Sequence, residues 1–343
     1  MTLLFRTPRP SFGTAAPSVP SRAALLTRVP LSDTPLPSLD DLSWPWPGRN
    51  MRYGDVTVHV RETPGPGADE PAAVYLHGLG GSATNWTELA GLLACRADGL
   101  AIDLPGFGFS PPSASPDYRM SAQADAVAAM LDARGGPPAH LLGNSMGGGI
   151  AMLLAARRPD LVRSLTLISP AVPDLRPDVR RLSDPRMALA LVPFVGRRAR
   201  LALAGLTARE QIDQMLQLCF AEPHRVSSAR IAFAETELVD RMSLPWAGHA
   251  VGTAAGAIFR EWLAPARRSL WTVAAGVRVP TLVVWGARDR VISVRKAPRT
   301  ARLLPRGRLL VLPRTGHVAQ MERPVTVARA VLGMWEAVDR GEW

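Results

Sequence analysis

Short apolar runs alternate along this chain with longer stretches in which apolar positions recur every three or four residues. Residues 56–61 alternate between apolar and polar, as a strand with one solvated face does. Residues 72–76, 100–103, 139–142, 165–169, 281–285 and 308–312 are instead continuously apolar. That pattern predicts strands buried on both faces of a parallel sheet. Between them, residues 86–93, 121–134, 146–158, 294–304 and 324–338 read as helices, and Pro324 suits a helix first turn. The alternation predicts an α/β fold built on a mostly parallel, doubly wound sheet.

The rhythm breaks over residues 172–277, where helices are predicted at 187–206, 208–220, 227–242 and 248–263. This stretch carries Phe194, Met215, Phe220, Phe233, Trp246, Phe259 and Trp262. A helical insertion before the last two strands is expected to lie as a lid over the carboxyl ends of the strands. Most of its large apolar side chains are expected simply to hold the lid together. The chain then divides into a tail over 1–45, a core over 46–171, the lid over 172–277 and the rest of the core over 278–343.

The tail is rich in Pro, Ser, Thr and Arg, with no acidic residue before Asp33. It reads as disordered, or as a start placed too far upstream, with folded structure beginning near Trp46 or Met51. Its prolines would break the amphipathic helix of a transit peptide. The formal net charge is +11, but Lys296 is the only lysine and the arginines are dispersed. No nucleic-acid partner is expected from that distribution. No apolar run approaches the roughly 20 residues that cross a bilayer, so no stable membrane span is expected. Cys95 and Cys219 are the only cysteines, lack metal-ligand spacing and are expected as buried thiols, which suits a reducing, cytoplasmic setting.

The chemistry concentrates at Gly143-Asn144-Ser145-Met146-Gly147, between a predicted strand and a predicted helix. A tight turn there lifts a serine hydroxyl out of the chain, and the following helix aims free N–H groups at charge beside it. A serine nucleophile needs a base and a carboxylate to orient that base. His317 follows the last predicted strand, and Asp289 follows the one before, each in a loop that reaches the same sheet edge. Tyr75-Leu76-His77-Gly78-Leu79-Gly80-Gly81 leaves another strand, and the N–H groups of Leu79 and Met146 are the candidate oxyanion hole. His77 is expected to bind loop backbone, and His59, His140, His224 and His249 to be packing or surface residues.

His77-Gly78, Asp103-Leu104-Pro105-Gly106-Phe107-Gly108, Gly143-Asn144-Ser145-Met146-Gly147, Gly286-Ala287-Arg288-Asp289 and Gly316-His317 together resemble the α/β-hydrolase superfamily from Met51 to the C-terminus. The resemblance implies a turn-shaping Asp103 and a Ser145-His317-Asp289 triad that needs no cofactor or metal. Serine at position 145 sets the chain apart from the dehalogenases and epoxide hydrolases of this fold, whose nucleophile is a carboxylate. The resemblance implies a carboxylesterase acting on a small-molecule hydrophobic ester. Gly143 to Gly148 and Gly316 to Glu322 are also similar to carbon–carbon hydrolases of the meta-cleavage type, with Arg260 the candidate for their lid arginine. Slow or non-catalytic ligand-binding proteins, and acyl transfer to an alcohol, are further outcomes of the same fold.

Overall fold

The computed structural model describes residues 27–42, 44–67, 69–175 and 205–343. In chain order these form β1 (Gly48–Tyr53), β2 (Val56–Thr63), β3 (Ala73–Leu76), α1 (Thr87–Leu93) and β4 (Gly99–Ile102). Then come α2 (Met120–Arg134), β5 (Ala139–Asn144), α3 (Met146–Arg157) and β6 (Val162–Ile168). The helices α4 (Ala208–Cys219), α5 (Ser228–Met242), α6 (Ala247–Trp262) and α7 (Leu270–Gly276) stand between β6 and β7 (Thr281–Gly286). The chain closes with α8 (Ala297–Leu303), β8 (Gly307–Leu312), α9 (Ala319–Glu322) and α10 (Pro324–Asp339).

The eight strands make one sheet in the order β1-β2-β4-β3-β5-β6-β7-β8. β1–β2 and β2–β4 pair antiparallel, and every other neighbour is parallel. β3, β4, β5 and β7 are buried at every position, which is why their sequences show continuous apolar runs rather than alternation. The two-residue period of a strand then sorts the side chains. Val74, Leu76 and Val283 pack with α2, α3, α7 and α8 on one face. Ala73, Tyr75, Leu282 and Val284 pack with α1 and α10 on the other. Each fully buried valine or leucine among them contributes about 1.5–3 kcal/mol to folding.

Three expectations need revision. β1 was not expected, because Gly48–Tyr53 is mostly exposed and holds no apolar run; its pairing with β2 makes it a strand. α7 lies within the span assigned to the lid, yet Leu270, Ala274 and Val277 are buried in the core with α3, as Ala250 and Ala254 of α6 also are, so this span is not wholly separate from the core. Residues 27–42, assigned to a disordered tail, instead pack as a strap on α10 and α1. The Ser32 N–H donates to the Arg329 carbonyl at 2.9 Å, and Arg329 Nη1 donates to the Ser32 carbonyl at 2.7 Å. Ser32 Oγ also donates to Glu336, and Leu42 is buried in the same cluster as α1 and α10. The strap makes a few short-range hydrogen bonds of its own, such as Thr34 N–H to Ser32 Oγ at 3.1 Å, but the contacts that fix it to the fold are with partners remote in sequence. Residues 1–26 and nearly all of the helix expected at 187–206 lie outside the described residues.

Candidate active site

The turn from β5 to α3 holds Ser145 at φ 53° and ψ −116°, a left-handed conformation that costs a non-glycine residue about 1–3 kcal/mol. Neighbouring chain enforces it. The Ser145 N–H donates to the Ile168 carbonyl at 3.0 Å, and the Ser145 carbonyl accepts from Ala171 N at 2.8 Å and Gly149 N at 3.1 Å. The flanking glycines are a matter of space. A Cβ on Gly147 would stand 2.1 Å from the Leu76 carbonyl oxygen, and one on Gly143 would stand 2.3 Å from that of Gly147. Met146 opens α3, so its N–H belongs to the first turn and has no partner within the helix.

His317 and Asp289 meet across the loops that leave β8 and β7. His317 Nδ1 lies 2.9 Å from Asp289 Oδ2, with the carboxylate fully buried. The other oxygen of Asp289 accepts the N–H groups of Val291 at 2.8 Å and Ile292 at 3.0 Å, which fixes the carboxylate's orientation. A proton on Nδ1 leaves the lone pair of the neutral ring on Nε2. Asn144, the neighbour of Ser145, donates from Nδ2 to the His317 carbonyl at 3.1 Å and to the Ile168 carbonyl at 3.1 Å. The histidine loop is thereby tied to the serine turn.

The loop after β3 lies against the same turn: a Cβ on Gly78 would stand 3.1 Å from Ser145 Cβ. His77 holds the loop in place. Its Nδ1–H donates to the Gly78 carbonyl at 2.8 Å, and its Nε2 accepts the Leu104 N–H at 3.0 Å. Burial pushes its pKa below the ordinary histidine range, so the ring is neutral and its single proton is committed to Gly78. Asp103 accepts from Ala83 N at 2.7 Å and Phe109 N at 2.8 Å, joining this loop to the turn after β4.

The partners of some contributors have no signal in sequence. Glu237 of α5 is buried and accepts from Ser82 Oγ at 2.8 Å and Thr84 Oγ1 at 2.9 Å. Arg241, one turn on, donates to the Gly80 carbonyl at 3.0 Å. These two side chains stitch α5 to the Gly78–Thr84 loop, yet on paper they look like any solvated helix face. Glu322, within the motif already quoted around His317, accepts backbone N–H groups from both the histidine loop and the chain leaving α4. The cysteines also differ from expectation. Cys95 is exposed, while Cys219 is half-buried, its thiol pushed up to about 12 by desolvation and then by the carboxylates of Asp289 and Glu322. Arg260 and Phe259 are exposed on α6, and Met215 is exposed on α4.

A strained serine between β5 and a helix, followed in chain order by an acid after β7 and a histidine after β8, defines a recognisable class. The sequence matches the α/β hydrolase fold family over residues 71–324, and the chain belongs to that family. A monoacylglycerol lipase from Bos taurus is 26% identical over 281 residues, spanning 78% of this chain and 76% of the relative. The dihydrolipoyllysine-residue acetyltransferase component of the acetoin cleaving system of Cupriavidus necator is 28% identical over 322 residues, spanning 91% and 75%. Among solved structures, a bacterial membrane phospholipase A superposes with a TM-score of 0.67 at 27% identity, covering 85% of this chain and 86% of that one. Among the described residues, no helix is long and apolar enough to cross a membrane.

Proposed function

We propose that this α/β hydrolase cleaves carboxylic esters of small to medium hydrophobic substrates through an acyl-enzyme on Ser145. Ser145 Oγ attacks the ester carbonyl and passes its proton to His317 Nε2, while Nδ1–H stays on Asp289. The N–H groups of Leu79 and Met146 take the developing oxyanion. His317 then protonates the departing alcohol, and water clears the acyl group by the same route reversed. The chemistry calls on neither metal nor cofactor. The observation that carries the reading is the 2.9 Å contact of His317 Nδ1 with an Asp289 whose other oxygen is already saturated, beside a strained Ser145.

Helices α4 to α6 serve in this reading as the lid, and the lipase and phospholipase relatives support a hydrophobic acyl or alcohol group. Two unpaired cysteines suit a cytoplasmic protein. Acyl transfer to an alcohol or thiol is a second reading, favoured by the likeness to an acetyltransferase component. It needs only that the acceptor outcompete water at the acyl-enzyme. The carbon–carbon hydrolase reading is weakened by Arg260, its candidate arginine, which stands exposed.

Turnover of p-nitrophenyl acetate, butyrate and octanoate by the wild type and Ser145→Ala tests the proposal. Serine-dependent release of nitrophenol, with rates that vary with chain length, is the expected result. No release from any ester by folded wild-type protein would overturn it, and a vinylogous diketone acid would then test carbon–carbon cleavage.

A further inference from the structure

The backbone around His317 is held from three sides. Its own N–H donates to the Cys219 carbonyl at 2.7 Å, its carbonyl accepts from Asn144 Nδ2 at 3.1 Å, and the preceding N–H, of Gly316, donates to Glu322 Oε2. The first of these partners is the last residue of α4, which belongs to the helical insertion and not to the sheet. A Cβ on Gly316 would stand 2.3 Å from that same Cys219 carbonyl, so the two strands of chain are in direct backbone contact. The other oxygen of Glu322 reaches the insertion as well. Oε1 accepts from Ala221 N at 2.9 Å and from Glu222 N at 3.3 Å, in the chain just past α4.

We propose that Glu322 is a positioning residue for His317, clamping the histidine loop and the chain leaving α4 to one carboxylate so that the imidazole is set by the docked insertion. The proposal rests on the reading of His317 as the general base. Glu322 touches no reacting atom. Its two oxygens divide the work, one taking the loop and the other the insertion, and only a group with two acceptors can do both. An ionised acceptor serving several backbone N–H groups makes strong, short hydrogen bonds, which suits a clamp on a loop that must hold its register. The consequence is that α4 is part of the catalytic scaffold. Moving its C-terminal end would drag the Cys219 carbonyl and the Glu322 carboxylate away from the base.

Glu322→Gln tests this, because an amide keeps one acceptor and presents donors to the N–H groups on its other side. Four quantities are read on the full chain: kcat and KM for p-nitrophenyl butyrate, the rate at which a fluorophosphonate labels Ser145, the thermal midpoint, and the downfield proton resonance of His317 Nδ1–H. Glu322→Gln is expected to lower kcat and the labelling rate together by about 10- to 100-fold. KM should stay within about twofold, and the Nδ1–H resonance should shift or broaden. Glu322→Asp, which keeps both acceptors on a shorter stem, should fall between, and decides the matter if the amide variant does not fold. Arg209→Ala, at the opposite end of α4 and exposed, should keep wild-type rates. Wild-type kcat and labelling in a folded Glu322 variant would overturn the proposal. So would a lowered thermal midpoint with the resonance unmoved. Failure of the ester reading shows separately, as a wild type that releases no nitrophenol yet is labelled in a His317-dependent way. A labelling rate indifferent to His317→Ala would remove the base, and the positioning role with it.

Discussion

At the residue scale, the orientation of one carboxylate carries the sharpest consequence. Asp289 Oδ1 is occupied by two backbone N–H groups, so in Asp289→Asn the amide oxygen stays there and the NH2 group faces His317 Nδ1. The imidazole is then driven to carry its proton on Nε2, where, in the proposed mechanism, it could not accept one from Ser145. A loss of about 10⁴-fold in kcat is expected with the fold intact, measured on p-nitrophenyl butyrate. A loss below about tenfold would mean that another group orients the ring. Ser145, Asp289 and His317 could be picked out of the chain because each sits in a short local motif after an apolar run. Glu237, Arg241 and Glu322 could not be given their partners in the same way. α5 carries Glu235, Glu237, Asp240 and Arg241, and only docking on the Gly78–Thr84 loop decides that Glu237 is the buried one.

At the scale of the element, the turn between β5 and α3 is a packing problem before it is a catalytic one. The methyl group of Gly147→Ala would press on the Leu76 carbonyl of β3, backbone against side chain with no rotamer to relieve it. That substitution should cost about 3 kcal/mol in urea denaturation, and wild-type stability would show that the turn has slack. The strands with two buried faces were legible because burial demands continuous apolar sequence. β1 was not, since an edge strand with exposed positions has no such demand placed on it. The helices expected at 208–220, 227–242 and 248–263 come within a residue of α4, α5 and α6 at each end. α4 begins on a capping box of Thr207 and Glu210, a start signal present in the letters themselves. α7 is a short helix of seven residues whose place in the core comes from contact with α3 rather than from any period of its own.

At the scale of the whole molecule, two features outside the Ser145 turn bear on stability. His140 is buried at the start of β5, stacked on Trp335 of α10 at 4.0 Å, with Nδ1 2.7 Å from Ser164 Oγ. Burial, and then the positive charge of Arg163, holds its pKa down to about 3. The unfolded chain binds this proton near pH 6.5, so the contribution is complete above that value and is lost as pH falls toward 3. Stability should drop between pH 6.5 and 4.5 with a slope to which this ring adds up to about 1.4 kcal/mol per pH unit. His140→Phe should remove that share, read as urea midpoints against pH, and an unchanged slope would assign it to other groups. The strap over residues 27–42 acts from the other end. Leu42→Ala should cost about 2 kcal/mol, although composition alone marks this segment as dispensable; an unchanged midpoint would return it to the status of a tail. The sequence by itself determined the class of fold, because burial on both faces of a sheet writes itself as apolar runs at a legible period. It also determined that a serine, an acid and a histidine each follow the end of an apolar strand run, in that order. Only the tertiary structure decided that the strap is ordered, that α7 is core, and that the insertion grips the histidine and Gly78–Thr84 loops. Those contacts join residues about 100 or more positions apart, several through backbone groups that every residue carries, so no local pattern encodes them.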